Sequence, residues 1–484
     1  MKKLIVLCAV GLTVLLLGSL LFSTGCTWRD SGVSATTCVH RPDVTSDNSG
    51  GAIAIYQVRN AGDSRELYAQ RVSSEGDLLC GEKGMLIDSG YGGGCGGLLR
   101  IVNDGSGGAI TAWKAYPTNP DLESPTGERV QKVVTVIRVD SQGRILWQKE
   151  VKSFDIVDHM ISDGAGGVII ACDDYSSRYL HIQKVDTEGD FPWDEDGVSI
   201  YCEEYQNNSL ELASDGSGGA IVTYCESIAE TEGRIFAHRV DSDGNLSWGQ
   251  DGVLLYTTPK EIAGQEIRVT SDGSGGVIVV WQQSDWGWPK LYDICVQRVD
   301  ADGDILWQSE GTPVFIRSQM GHAADPTLVS DGSGGAIVFW ESGMSIYAQR
   351  LNSNGETLWA KWGIQVWQDG DIARLTYKVE SDASGGALIV WYYIGSTLAD
   401  KGEILRAQRL DADGRAMWLS GGVPVAIGVK ENCNYATISQ DGLGGVLIAW
   451  GTGRDVYTVE KSYVQRIDAE GNSLWGEKGI RLDH

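Results

Sequence analysis

The residues of this 484-residue chain that have chemistry to offer are its acidic turns, its six histidines and its cysteines. Carboxylates gather in Asp300-Ala301-Asp302-Gly303-Asp304 and in Asp241-Ser242-Asp243-Gly244. Calcium takes several such oxygens, but these runs lack the spacing and terminal glutamate of an EF-hand loop. Asp-Gly is also a favoured pair in tight hairpin turns, so the expectation is no cofactor, with calcium as the alternative. The histidines are His40, His159, His181, His238, His322 and His484, and no HExxH, GxSxG or phosphate-loop pattern accompanies them. Gly92-x-Gly94-x-x-Gly97 matches a dinucleotide fingerprint by letter, yet a strand pattern rather than a helix follows it, so the match is rejected. Besides Cys8 and Cys26 there are eight cysteines, none in a CxxC spacing, which argues against zinc. Cys202 and Cys225 flank the first hairpin of the fourth repeat and are the candidate disulfide; the other reading is buried free thiols.

The elements that must position these residues come from a repeat. Ser-Asp-Gly-Ser-Gly-Gly, or a close variant, recurs eight times, with its aspartate at Asp47, Asp104, Asp163, Asp215, Asp272, Asp331, Asp382 and Asp441. Nine residues after each aspartate stands Tyr56, Trp113, Cys172, Tyr224, Trp281, Trp340, Trp391 or Trp450. A second motif closes each copy: in repeat five, Gln297-Arg298-Val299-Asp300-Ala301-Asp302-Gly303 and then Trp307. The equivalents of Trp307 are Cys80, Trp147, Trp193, Trp248, Trp359, Trp418 and Trp475.

Each copy parses into four strands. In repeat six they fall at Pro326–Val329, Ala336–Trp340, Ile346–Leu351 and Thr357–Val366, the last with a bulge near Gly363. Asp331–Gly335 and Asn352–Gly355 are turns. The second strand is apolar at every position, as a strand covered on both faces must be, whereas a sandwich strand would alternate. No stretch beyond the N-terminal leader has helical periodicity. The expected fold is all-β, a single eight-bladed β-propeller of four-stranded blades over residues 40–484. A seven-bladed ring with repeat one as a peripheral unit is the alternative. The recurring Gln-Arg pair (Gln297-Arg298, Gln349-Arg350) is expected to brace the turn carboxylates. His238 takes the place of that glutamine in repeat four and is read as a structural variant.

Val-Asp-Ala-Asp-Gly-x-x-Leu-Trp resembles the tryptophan-docking motif of pyrroloquinoline-quinone-type propellers, and the repeat also resembles the short bacterial delta-sixty type. The resemblance implies a propeller whose indoles pack between blades. Catalytic quinoproteins of that type carry adjacent cysteines, which this chain lacks, so the nearer implied analogy is with noncatalytic, lipid-anchored envelope scaffolds. The N-terminus points the same way. Lys2 and Lys3 precede an uncharged apolar run from Leu4 to Phe22, and Ser23-Thr24-Gly25-Cys26 follows. This resembles a bacterial lipoprotein signal over residues 1–25, with Cys26 as the lipidated residue and 26–39 as a tether. An uncleaved anchor helix is the other reading, since 19 apolar residues nearly span a bilayer. Both place the rest of the chain outside the cytoplasm, in the cell envelope.

Formal net charge is −26, which disfavours nucleic acid and anionic surfaces as partners. The uniform Asp-Gly turns share one rim of the expected ring, and the variable connections share the other. Loops of that kind carry binding residues. The candidates there are Tyr116, Asp173, Asp174, Tyr175, Trp286, Trp288, Tyr392 and Tyr393, with Trp286-Gly287-Trp288 foremost because exposed aromatics suit sugars and protein hot spots. Packing of these aromatics onto neighbouring loops is the competing reading. The leading expectation is a protein- or glycan-binding module. The rival is a glycan-active hydrolase or lyase working through carboxylates in the central channel.

Overall fold

A computed structural model of the chain describes residues 42–59, 65–91, 99–114, 133–152, 156–173, 178–203, 210–228, 232–258, 267–284, 292–308, 311–316, 323–368, 375–393, 405–427, 432–453 and 459–483. The expected leader, tether and Cys26 lie outside them. The described residues form eight four-stranded antiparallel sheets, each with its strands in chain order. The first strands are Asp43–Ser46, Arg100–Asn103, Ile156–Ser162, Leu210–Ser214, Arg268–Ser271, Ala324–Ser330, Leu375–Ser381 and Asn432–Gln440. Each touches the first strand of the blade before and of the blade after, and that of blade eight touches that of blade one. The chain is therefore an all-β, eight-bladed propeller, with the first strands innermost.

The second strands explain how the blades adhere. Ala336–Trp340 is buried throughout. Its alternate residues serve different wedges: Ala336, Val338 and Trp340 pack against blade five, and Ile337 and Phe339 against blade seven. Eight such wedges exist, one per blade junction. An unbroken apolar strand is the sequence consequence of having a neighbour on both faces.

Among the described residues no strand is shared between the first and last blades, because blades one and eight are each built from one continuous segment. Packing closes the ring. Val44, Ala52, Ala54 and Tyr56 share a wedge with Leu447, Ala449, Val464 and Trp475. The Trp475 indole N–H donates to the Ser74 carbonyl at 3.1 Å across this seam.

The outer strand differs from the sequence reading. In blade six it is Ile364–Gln368, not Thr357–Val366. Thr357 makes only an isolated bridge to Leu351, and the next residues turn to seat Trp359. Gly363 ends this turn at φ +85°, and a β-carbon there would stand 2.6 Å from the Trp340 ring. Only glycine combines that backbone with that contact.

Candidate functional site

Most of the repeated polar residues hold the blades together. The first-turn aspartates are almost fully buried in every blade. Asp272 shows the pattern. Its Oδ1 accepts from the Ser274 and Gly276 amides at 2.7 and 2.8 Å, and its Oδ2 accepts from Arg298 at 2.8 Å. The pair recurs as Asp47–Arg71, Asp104–Arg138, Asp215–Arg239, Asp331–Arg350, Asp382–Arg409 and Asp441–Arg466, with Lys184 facing Asp163 in blade three. For Asp47 and Asp104, burial pushes the carboxyl up, but the hydrogen bonds from arginine, serine and turn amides outweigh it and hold the pKa below the ordinary value. The arginine then reaches the next blade. Arg298 Nη1 and Trp307 Nε1 both donate to the Ser353 carbonyl, at 3.1 and 3.0 Å. Arg350 and Trp359 share the Ala412 carbonyl in the same way, and Arg239 and Trp248 share that of Ala301. The glutamine before the arginine clamps the outer turn: Gln297 Nε2 donates to the Gln308 carbonyl at 2.6 Å, and its Oε1 accepts from the Trp307 amide at 3.1 Å. The Gln-Arg pairs are thus structural braces.

The second-turn acids are also engaged locally. Asp300 Oδ1 accepts from the amides of Asp302 and Asp304, at 3.0 and 2.9 Å. Among the described residues no group of three or more histidine, cysteine or acidic side chains is arranged to hold a metal.

One polar position is not repeated. Four residues before the first-turn aspartate, on the innermost strand of each blade, stand Asp43, Arg100, His159, Glu211, Arg268, Thr327, Lys378 and Thr437. At about 3.3 Å per residue, this collar lies about 13 Å along the innermost strands from the Asp-Gly rim. Its members bond from blade to blade. Glu211 accepts from Arg268 at 3.0 Å and stands 3.5 Å from His159 Nδ1. Asp43 accepts from its own neighbour Val44 at 2.9 Å and from the Ile101 amide at 3.3 Å. Burial raises the Asp43 pKa against the opposing pull of Arg100. Arg268 remains 44% exposed and His159 30%. Glu380, two positions nearer the turn in blade seven, also has its pKa raised by burial, against hydrogen bonds from Ser381 and Gln440. Asp43 and Glu380 belong to different wedges, so these two raised carboxyls do not converge. Aligning the repeats on their aspartates would have revealed the collar, because it is where side-chain charge changes from blade to blade.

The sequence candidates fare unevenly. Tyr392 is only 2% exposed and packs in the wedge between blades seven and eight, so it is a core residue rather than a rim contact. Asp173 and Tyr393 end the second strands of blades three and seven. Tyr116, Asp174, Tyr175, Trp286 and Trp288 lie outside the described residues. Cys202 and Cys225, the candidate disulfide, are both buried. Cys202 packs between blades three and four, and Cys225 between blades four and five, so the blade-four sheet separates them. His238 is 1% exposed, its Nε2 stands 3.3 Å from the Tyr224 hydroxyl, and burial pushes its pKa down to about 4.

No protein-family model and no curated protein matches this chain. Among similar solved structures, prolyl oligopeptidase B from Galerina marginata is 10% identical at a TM-score of 0.45, over 92% of this chain and 52% of that one. This chain therefore spans about half the length of that enzyme. The β-propeller domain of the Trilobed protease from Pyrococcus furiosus is 8% identical, TM-score 0.41, over 79% of this chain and 98% of that one. The SapL1 lectin, solved with alpha methyl fucoside, is 9% identical, TM-score 0.31, over 67% and 96%. Likenesses this distant transfer no activity, and the architecture rests on the eight closed sheets themselves.

Proposed function

We propose that the chain is an extracytoplasmic binding propeller, tethered to a membrane through a lipid on Cys26, that takes a protein or glycan ligand at its variable rim and the channel mouth beneath. One observation carries this reading: the first-turn aspartates and their cationic partners recur and brace the blades, whereas the collar position on the innermost strands changes charge from blade to blade. Mixed charge on the innermost strands, with Trp286 and Trp288 in the sequence between the second and third strands of blade five, suits a polar ligand gripped by hydrogen bonds and aromatic faces. Pro42 precedes the innermost strand of blade one at its variable-rim end.

The test is a glycan array and protein pull-down with residues 27–484. Trp286→Ala with Trp288→Ala should abolish the strongest binding, and Arg268→Ala should weaken it about tenfold. Binding that survives all three changes would refute the rim and collar assignment. The lipid is tested separately by acyl labelling, which Cys26→Ala should eliminate. The hydrolase or lyase alternative draws on Asp43, the collar carboxyl whose pKa burial raises. If it holds, glycan cleavage by the purified chain should disappear in Asp43→Asn.

A further inference from the structure

Six blades expose an aliphatic side chain at one structural position, the residue just before the docking tryptophan or its replacement. They are Leu79 (50% exposed), Leu146 (52%), Leu306 (45%), Leu358 (49%), Met417 (53%) and Leu474 (41%). The fold does not require them. The Leu306 amide donates to the Arg298 carbonyl at 2.9 Å, and Leu358, Met417 and Leu474 make the same bond to the third-strand arginines of their own blades. In blade four Ser247 makes this bond to Arg239, also at 2.9 Å. A polar residue therefore serves the backbone equally well. A half-exposed aliphatic side chain adds little to the core, so its recurrence at six fixed places calls for a role at the surface.

The charge around these side chains narrows that role. The eight second turns, residues 73–77, 140–144, 186–190, 241–245, 300–304, 352–356, 411–415 and 468–472, hold sixteen carboxylates and two arginines. Fourteen of the 26 net negative charges thus lie in 40 residues beside the aliphatic belt. The first-turn aspartates on the same rim are paired with arginine or lysine and add little to this field. A second copy of the ring, or an anionic lipid surface, would meet like charge here.

We propose that the outer edge of the Asp-Gly rim is a docking belt for a partner segment in which lysine or arginine alternates with apolar side chains. The belt occupies the rim opposite the collar, so it stands or falls independently of the ligand proposed there.

Fluorescence anisotropy tests it with residues 27–484, which contain the whole ring. The probes are a labelled alternating Lys–Leu peptide and poly-lysine of equal length. The variant L146S/L306S/L358S/M417S copies the serine of blade four and should melt at the parental temperature. It should bind the Lys–Leu peptide at least tenfold more weakly and poly-lysine within twofold of the parent. D302N/D304N, which leaves every aliphatic residue in place, should weaken both probes. The proposal is overturned if the serine variant binds the Lys–Leu peptide as the parent does, if the parent prefers poly-lysine, or if the ring dimerises through the belt.

Discussion

At the scale of the residue, the brace of aspartate, arginine and tryptophan dominates. Half of it was legible: Asp-Gly turns and a Gln-Arg pair recurring in phase imply a structural partnership. The receiving carbonyl in the next blade was not legible, because a backbone acceptor has no sequence signature. Arg298→Ala leaves Asp272 buried and unpaired and should cost about 3–5 kcal/mol in urea unfolding. Arg298→Lys should lie between it and the parent, since Lys184 stands 3.6 Å from Asp163 in the native blade three. His238 is the exception to the glutamine clamp. Its folded pKa of about 4 lies below the unfolded value of about 6.5, so the unfolded chain takes up the proton first as pH falls. Its contribution to stability is complete above about pH 6.5 and declines by about 3 kcal/mol on acidification to about pH 4. His238→Gln should flatten this limb and raise stability at pH 7 by about 1–2 kcal/mol through two restored hydrogen bonds. Melting curves at pH 4.5 and 7.5 measure both effects.

At the scale of the element, the second strand was read correctly from its unbroken apolar run, and the outer strand was read too long. The difference is physical. A strand covered on both faces writes its burial into every residue, whereas the segment carrying the docking tryptophan alternates turn, anchor and strand over ten residues in a way composition alone does not separate. Trp340→Ala removes one of the largest fully buried side chains and should destabilise by about 3–5 kcal/mol. Blade one offers the converse test. Cys80 stands where all seven other blades place the docking tryptophan, and Gly143 of blade two lies against its sulfur as Gly244 lies against Trp193. Cys80→Trp should fill that site, add an indole donor to the Ser141 carbonyl that Arg71 already contacts, and raise the melting temperature by a few degrees.

At the scale of the whole molecule, eight motif copies foretold eight blades. The candidate rim residues were less legible. Aromatic type alone could not separate Tyr392, which the neighbouring blade covers, from a true rim residue, because the next blade's position is a property of the ring and not of the local sequence. The central claim is that blade one is an integral member of a closed ring of eight. Thermal unfolding of residues 99–484, from which blade one is absent, tests it most directly. Loss of blade one uncovers the wedges it shares with blades two and eight and removes the acceptor of Trp475. The account predicts that this fragment melts at least 10 °C below residues 27–484, or fails to fold cooperatively. An unchanged cooperative transition would show that the other seven repeats close without blade one, and would contradict the account.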